Sequence, residues 1–232
     1  MRLSVFVCGI IAAGLIGNAS DILYDSKGFE SPVFREGTIQ GQNGWSRGST
    51  PDYQKAEIIK KNGQQMVRIP SDGTQRILLL SKNRTVSSGT VKLSADIVPH
   101  KLSTDVLALV CDVNGTGDDS VFLATFERRG TKVFFSVGGV FSDTAKPPKE
   151  ELSFKESDWN HVEIMVDLDS FEIWGVVNGE KTSKGKLSSN IKSLKLDKII
   201  VRTERGSSDA EILVDNIILE WIKNRSSTPE KK

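Results

Sequence analysis

The stretch WNHVEIMVDLDSFEIWGVVNG, Trp159 to Gly179, holds the densest strand signal in the chain and its tightest cluster of acids. Side chains of an extended strand alternate between two faces. On that spacing Val162, Ile164, Val166 and Leu168 share one face, and His161, Glu163, Met165 and Asp167 share the other. Past a reversal, Phe171, Ile173, Gly175 and Val177 alternate with Glu172, Trp174 and Val176. The pattern predicts a β-hairpin with one apolar face. A two-residue turn at Asp169-Ser170 pairs Leu168 with Phe171, Val166 with Ile173 and Val162 with Val177, and sets Met165 across from Trp174. A four-residue turn from Asp167 to Ser170 keeps the same faces. In both cases the aliphatic groups point inward and the indole of Trp174 points to water. Asn178-Gly179 marks the next reversal.

Outward from this hairpin the signal repeats. Turn residues separate QKAEIIKK, QQMVRIP, RILLLS, TVKLSADIV, DVLALVCDV, SVFLATFE, TKVFFSV, KIIVRTE and AEILVDNIILEW. Together with the hairpin strands HVEIMVDL and FEIWGVVN, these predict an all-β domain of two antiparallel sheets packed face to face. KPPKEELSFKES offers one short turn at most, because Pro147 and Pro148 cannot sit inside a helix. No repeat of fixed period is present, which argues against a propeller or solenoid.

The N-terminal MRLSVFVCGIIAAGLIGNAS has a basic start at Arg2, an apolar run from Leu3 to Ile16 and small residues at Gly17 and Ala19. It reads as a secretory signal peptide cleaved after Ala19. Its apolar run is too short to favour a membrane span. The expected organisation is a signal over residues 1–19, one β domain over 20–222 and a solvated tail over 223–232. The expected location is secreted, periplasmic or cell-surface. Arg2 is the one charge in the signal, so the remainder carries 30 basic and 30 acidic residues. A neutral chain has no general attraction to nucleic acid or anionic membranes. Cys111 alone remains beyond the signal, so no internal disulfide is available and the core holds the domain. Its setting in DVLALVC predicts a buried thiol.

WNHVEIMVD…VVNG resembles the Trp-x-x-Val-x-Val-x-Val-Asp…Val-Asn-Gly strand pair of laminin-G-like domains. FESPVFREGTIQGQNGW, from Phe29, and ILVDNIILEW, from Ile212, resemble the closing strands of secreted bacterial proteins in the same superfamily, the concanavalin A-like lectins and glucanases. The pattern covers most of residues 25–222. The resemblance implies a two-sheet antiparallel jelly-roll sandwich of roughly a dozen strands. It is nearly silent on function, since that superfamily hosts lectins, hydrolases, lyases and adhesion modules.

DLDSFE places Asp167, Asp169 and Glu172 at a spacing similar to the Glu-x-Asp-x-x-Glu strand of laminarinase-type glucanases. There a nucleophile and a general acid share one face. If the chain is an enzyme, Asp167 and Glu172 are the pair. Against this, Asp stands where those enzymes carry the first Glu, Asp169 falls in the predicted turn, and their aromatic-rich flanks are missing. The plainer reading is a solvated hairpin tip.

DVNGTGDD offers Asp112, Asn114, Thr116 and Asp118 at alternating positions, but Leu123 stands where a calcium loop places its bidentate Glu. A hairpin connection is the plainer reading. In many jelly-roll modules the first and last strands lie side by side with a structural calcium between their acids. By that resemblance Glu30 and Asp215 share an ion. The alternative for Asp215 is a hydrogen bond from backbone N–H groups. No other cofactor is expected.

Sugar rings stack their C–H faces on an indole while their hydroxyls seek polar partners. Trp174 is the predicted platform, flanked by Glu163 and Glu172, with Trp45 and Tyr53 contributing from a rim. Trp159 and Trp221 are expected to pack at strand ends. The leading function is non-catalytic binding of a glycan or polysaccharide. A polysaccharide-cleaving enzyme and a structural or adhesion module that binds protein are the alternatives.

Overall fold

The computed structural model describes residues 19–47, 56–70, 75–100, 104–117, 119–129, 132–139, 150–155, 158–203 and 211–223. These form seventeen strands and one 3-10 turn at Lys27–Phe29. A ten-stranded sheet contains β1 (Ala19–Asp25), β2 (Gly37–Thr38), β4 (Glu57–Lys61), β5 (Gln64–Pro70), β7 (Thr90–His100), β12 (Asn160–Asp167), β13 (Glu172–Val177), β14 (Glu180–Lys181), β15 (Gly185–Lys186) and β17 (Glu211–Lys223). A seven-stranded sheet contains β3 (Trp45–Arg47), β6 (Gln75–Val86), β8 (Thr104–Val113), β9 (Asp119–Arg129), β10 (Lys132–Gly138), β11 (Glu150–Glu151) and β16 (Leu194–Thr203). The large sheet runs β14-β13-β12-β7-β17-β5-β4-β2, with β1 on β17 and β15 on β13; the smaller runs β11-β10-β9-β8-β16-β6-β3. All eleven predicted strands are present. The unpredicted ones are β1, at the edge of the apparent signal, and five pieces of two or three residues, too short to show a period.

The hairpin lies toward one edge of the large sheet, between β7 and the short edge strands β14 and β15. Its ladder pairs Val162 with Val177, Val166 with Ile173 and Met165 with Trp174, as the alternation requires. It closes at Asp167–Glu172, so the loop is Leu168-Asp169-Ser170-Phe171, differing from both turns expected. The cause is the Asp167 carboxylate. Its Oδ1 accepts from the Asp169 and Ser170 N–H groups at 2.9 and 3.4 Å, and its Oδ2 from the Ser170 hydroxyl at 2.8 Å. An aspartate that satisfies the backbone two residues ahead fixes a turn. Phe171 then takes a left-handed φ of 53° to rejoin the ladder. Asp169 anchors the tip by accepting the Gly89 N–H at 3.0 Å.

Val162, Ile164, Val166, Ile173 and Val177 lie in one core with Phe122, Phe126 and Phe135 from the opposite sheet. Burying each such side chain stabilises the domain by about 1.5–3 kcal/mol. Cys111 is fully buried there, and burial pushes its thiol well above the usual range. That environment disfavours the reactive thiolate.

Trp45 corrects the sequence reading: it is 1% exposed, not on a rim. The Gly41-to-Trp45 turn folds back on itself, with the Gly41 N–H donating to the Trp45 carbonyl at 2.8 Å. The indole drops between the sheets, against Phe29 and Tyr24. Its N–H donates to the Tyr24 hydroxyl at 2.9 Å, which removes the cost of burying it. Burial in turn raises the Tyr24 phenol to about 12. Tyr53 and Asp118 lie outside the described residues.

Candidate functional site

The outer face of the ten-stranded sheet carries the polar and aromatic groups that the alternation of β12 and β13 turns away from the core. Trp174 is half-buried there, beside Met165. The Lys184 ammonium lies 4.8 Å from the centre of its ring and pairs with Glu172 at 2.6 Å. Next to it Lys92 pairs with Glu220 and Glu163, and Glu163 also meets His161 Nε2 at 3.4 Å. His161 Nδ1 lies 2.6 Å from Asp96 Oδ1. The Asp96 hydrogen bond, seconded by Glu163, holds the imidazole up to about 9, so it is cationic at neutral pH. Asp96 Oδ2 accepts from the Asn216 amide at 2.7 Å. The middle of the face is thus a row of matched charges.

Asp167 and Glu172 face each other across the ladder, with the Ser170 hydroxyl 2.8 and 3.3 Å from their oxygens. Hydrogen bonds from Lys184 and Lys186 draw the Glu172 carboxyl down to about 2. A group ionised across the whole neutral range does not serve as a general acid. Both Asp167 oxygens are taken up by the turn. The arrangement favours the plain hairpin-tip reading of these acids.

Glu30 and Asp215 both flank Gly28. β17 pairs with β5 through Val214 and with β1 from Ile218, and its ladder with β7 shifts register between Asp215 and Ile218. At this bulge Asn216 takes a φ of 48°, and Gly28, with φ 64°, passes close by. A methyl placed on Gly28 would lie 3.4 Å from Asn216 Oδ1, 3.6 Å from Asp215 Oδ1 and 3.6 Å from Glu30 Cγ. Burial, with Asp96 and Glu30 nearby, raises the Asp215 carboxyl to about 6. Its Oδ1 accepts the Asn216 N–H at 2.8 Å, the backbone bond expected as the alternative to a metal. Glu30 Oε1 accepts the Gln65 N–H at 2.8 Å. Among the described residues no group of three His, Cys, Asp or Glu side chains is gathered for a metal. The oxygens around Gly28 are of the hard type that calcium takes, and both carboxylates already accept a backbone N–H.

The other suggested calcium loop is a turn. Asp112 Oδ1 accepts the Gly117 N–H at 3.1 Å, and Asn114 Oδ1 accepts from Lys192 and Ser193 while its amide donates to Asn190.

Trp221 packs as expected, its N–H donating to the Ser88 carbonyl at 2.8 Å with Arg84 and Lys223 over its ring. Trp159 does not. It is 37% exposed, and an open depression of about 250 Å³ lies beside it, floored by Met66, Val98 and Leu213. Its odd number, shared with His161, Glu163 and Met165, was the signal for this outward placement.

No protein-family model matches the sequence, and no curated protein matches it. Solved structures do resemble it. The CBM2 module of the evolved Dit of Lactobacillus casei BL23 phage J-1 is similar over 91% of this chain and 100% of its own, with TM-score 0.60 and 10% identity. Lectin I-B4 of Griffonia simplicifolia is similar over 87% of this chain and 99% of its own, with TM-score 0.53 and 8% identity. A Lotus tetragonolobus seed lectin is similar over 81% and 97%, with TM-score 0.52 and 7% identity. At such identities the likeness is one of fold. Two antiparallel sheets around one core, β1 paired with β17, and these neighbours together show the fold to be a two-sheet antiparallel jelly-roll sandwich like theirs.

Proposed function

We propose that the protein is a secreted, non-catalytic glycan-binding module that holds its ligand on the outer face of the ten-stranded sheet, against Trp174. The orientation of that indole carries the reading: the ladder turns it away from the core beside Met165, between the Glu163 and Glu172 carboxylates. A sugar ring sets its C–H face on the indole, and its hydroxyls donate to the flanking carboxylates. The Lys184 side chain is 55% exposed, so it swings aside on its own stem as the ring arrives and still neutralises Glu172. Two of the similar structures are lectins by name, which supports a sugar as the ligand class. The apolar leader supports export. The engaged state of Asp167 and the ionised state of Glu172 support binding over bond cleavage.

A calcium ion belongs to the same reading. Glu30, Asp215 and the Asn216 amide oxygen would hold it, and it would tie the start of the chain to the bulge in β17.

The test is retardation of the purified domain on immobilised glycans, with released reducing ends and new unsaturation assayed in parallel. Retardation that weakens in Trp174→Ala, without product release, is the expected result. Release that disappears in Glu172→Gln would overturn the binding-module reading, and retardation unchanged in Trp174→Ala would remove the indole from the site.

A further inference from the structure

Trp159 precedes β12 by one residue and lies on the face that bears His161, Glu163 and Met165. The depression beside it is crossed by three neighbouring strands, β7, β17 and β5, which supply Val98, Leu213 and Met66 to the floor. The opposite wall is the β4–β5 turn. There Asn62 and Gly63, at φ 54° and 88°, form the tight reversal of an Asn-Gly hairpin. That turn leaves the side chains of Asn62 and Gln64 exposed at the rim.

An exposed indole beside a small apolar floor, with amides facing it, matches the two-sided chemistry of a sugar ring. A wholly apolar guest would strip water from the amides without giving them partners. Charge among the lining residues is balanced, one Lys61 against one Asp158, and the neighbouring His161 is paired with Asp96. Nothing here selects an anionic polymer.

Six residues separate Trp159 from Met165, the ladder partner of Trp174, a span of about 20 Å at the rise of a β-strand. A single sugar cannot touch both indoles, but a chain can. We propose that the Trp159 groove is a second sugar site, and that the two indoles together make the ligand a neutral linear glycan of several units. This inference rests on the glycan-binding reading and adds a site to it. Two weak contacts joined by one chain multiply in affinity, because the second forms at the high effective concentration set by the first.

The experiment is calorimetric titration with one-, two-, four- and six-unit oligosaccharides of glucose, mannose, galactose and N-acetylglucosamine. The proteins are the intact domain, Trp159→Ala, Trp159→Phe, Gln64→Ala and Trp174→Ala. For the series that binds, affinity is expected to rise by at least about tenfold between two and six units. Trp159→Ala abolishes that rise, Trp159→Phe restores part of it, and Gln64→Ala, an exposed change, weakens the hexasaccharide without altering the thermal midpoint. A hexasaccharide bound equally by the intact domain, Trp159→Ala and Gln64→Ala overturns the groove while leaving Trp174 and the glycan-binding reading in place. Binding of single sugars as tight as hexasaccharides overturns the linear-chain assignment. No binding by any oligosaccharide overturns the groove together with the reading beneath it.

Discussion

The ring of Phe135, in the smaller sheet, packs onto the bare backbone of Gly175 in the larger one. A methyl built on Gly175 would lie 2.1 Å from Phe135 Cε1 and 3.1 Å from Val137 Cγ1. The glycine stands on the core face of β13 between Ile173 and Val177, and the missing side chain makes room for the ring. Gly175→Ala is expected to destabilise the domain by about 1–3 kcal/mol, the usual range for overpacking. Urea unfolding should show a lower midpoint with an unchanged slope; an unchanged midpoint would mean the two sheets do not pack through this contact.

Glu172 should titrate far below an ordinary glutamate. Its folded pKa is depressed to about 2 from 4.5, so its pairing with Lys184 and Lys186 favours the folded state above pH 4.5 and is lost as pH falls through 2. Carboxyl NMR shifts followed against pH should place it near 2 in the intact domain. Replacing Lys184 and Lys186 by Ala should return it toward 4.5.

His161 behaves in the opposite sense. Its folded pKa is raised to about 9 from 6.5. Its ion pairs with Asp96 and Glu163 therefore stabilise fully below pH 6.5 and fade as pH rises through 9. Imidazole resonances should still report the charged ring at pH 7.5. In Asp96→Asn the pKa should fall, because the nearer of the two carboxylates is gone; a ring already neutral at pH 7.5 in the intact domain would show that neither ion pair forms.

Asp215 gives a test of the metal. A buried acid raised to about 6 from 3.8 costs the folded state stability that accrues as pH rises from 3.8 to 6 and is complete above 6. In chelator at pH 7.5, Asp215→Asn should match or exceed the intact domain in thermal midpoint. In excess calcium the intact domain should rise above its own midpoint in chelator while Asp215→Asn does not move. Equal midpoints with and without calcium in the intact domain would rule out a structural ion.

The turn at the hairpin tip depends on one carboxylate. Asp167→Ala removes three hydrogen bonds at the partly exposed tip, and a loss of about 1 kcal/mol is expected by analogy with other backbone caps. Asp167→Asn keeps an acceptor oxygen and should recover most of it.

The sheet faces were legible in the sequence because a period of two is a local property. Met165 and Trp174 face out, and Ile164 and Ile173 face in, as a consequence of numbering alone. What failed was whatever depends on distant chain. Trp45 follows a glycine-rich turn and reads as surface; its burial needs the hydroxyl of Tyr24, 21 residues earlier. Trp159 reads as strand-end packing; its groove exists because β5 and the β4–β5 turn come round to the same face of the sheet. The hairpin loop was misjudged by a residue because a side chain, not the strand period, sets its boundary. Glu30 and Asp215 come to flank Gly28 through the pairing of β1 with β17, and no spacing in the chain encodes that.

The first residue of β1, Ala19, lies directly opposite the last of β17, Lys223. Tension applied through these two points would not shear the strands along their length. It would peel them apart one hydrogen bond at a time, like a zipper drawn from its open end. A domain tethered by both flanks would therefore yield at low force, beginning at β1, and the peeling would reach the Asp215 bulge before it touched the hairpin that carries Trp174.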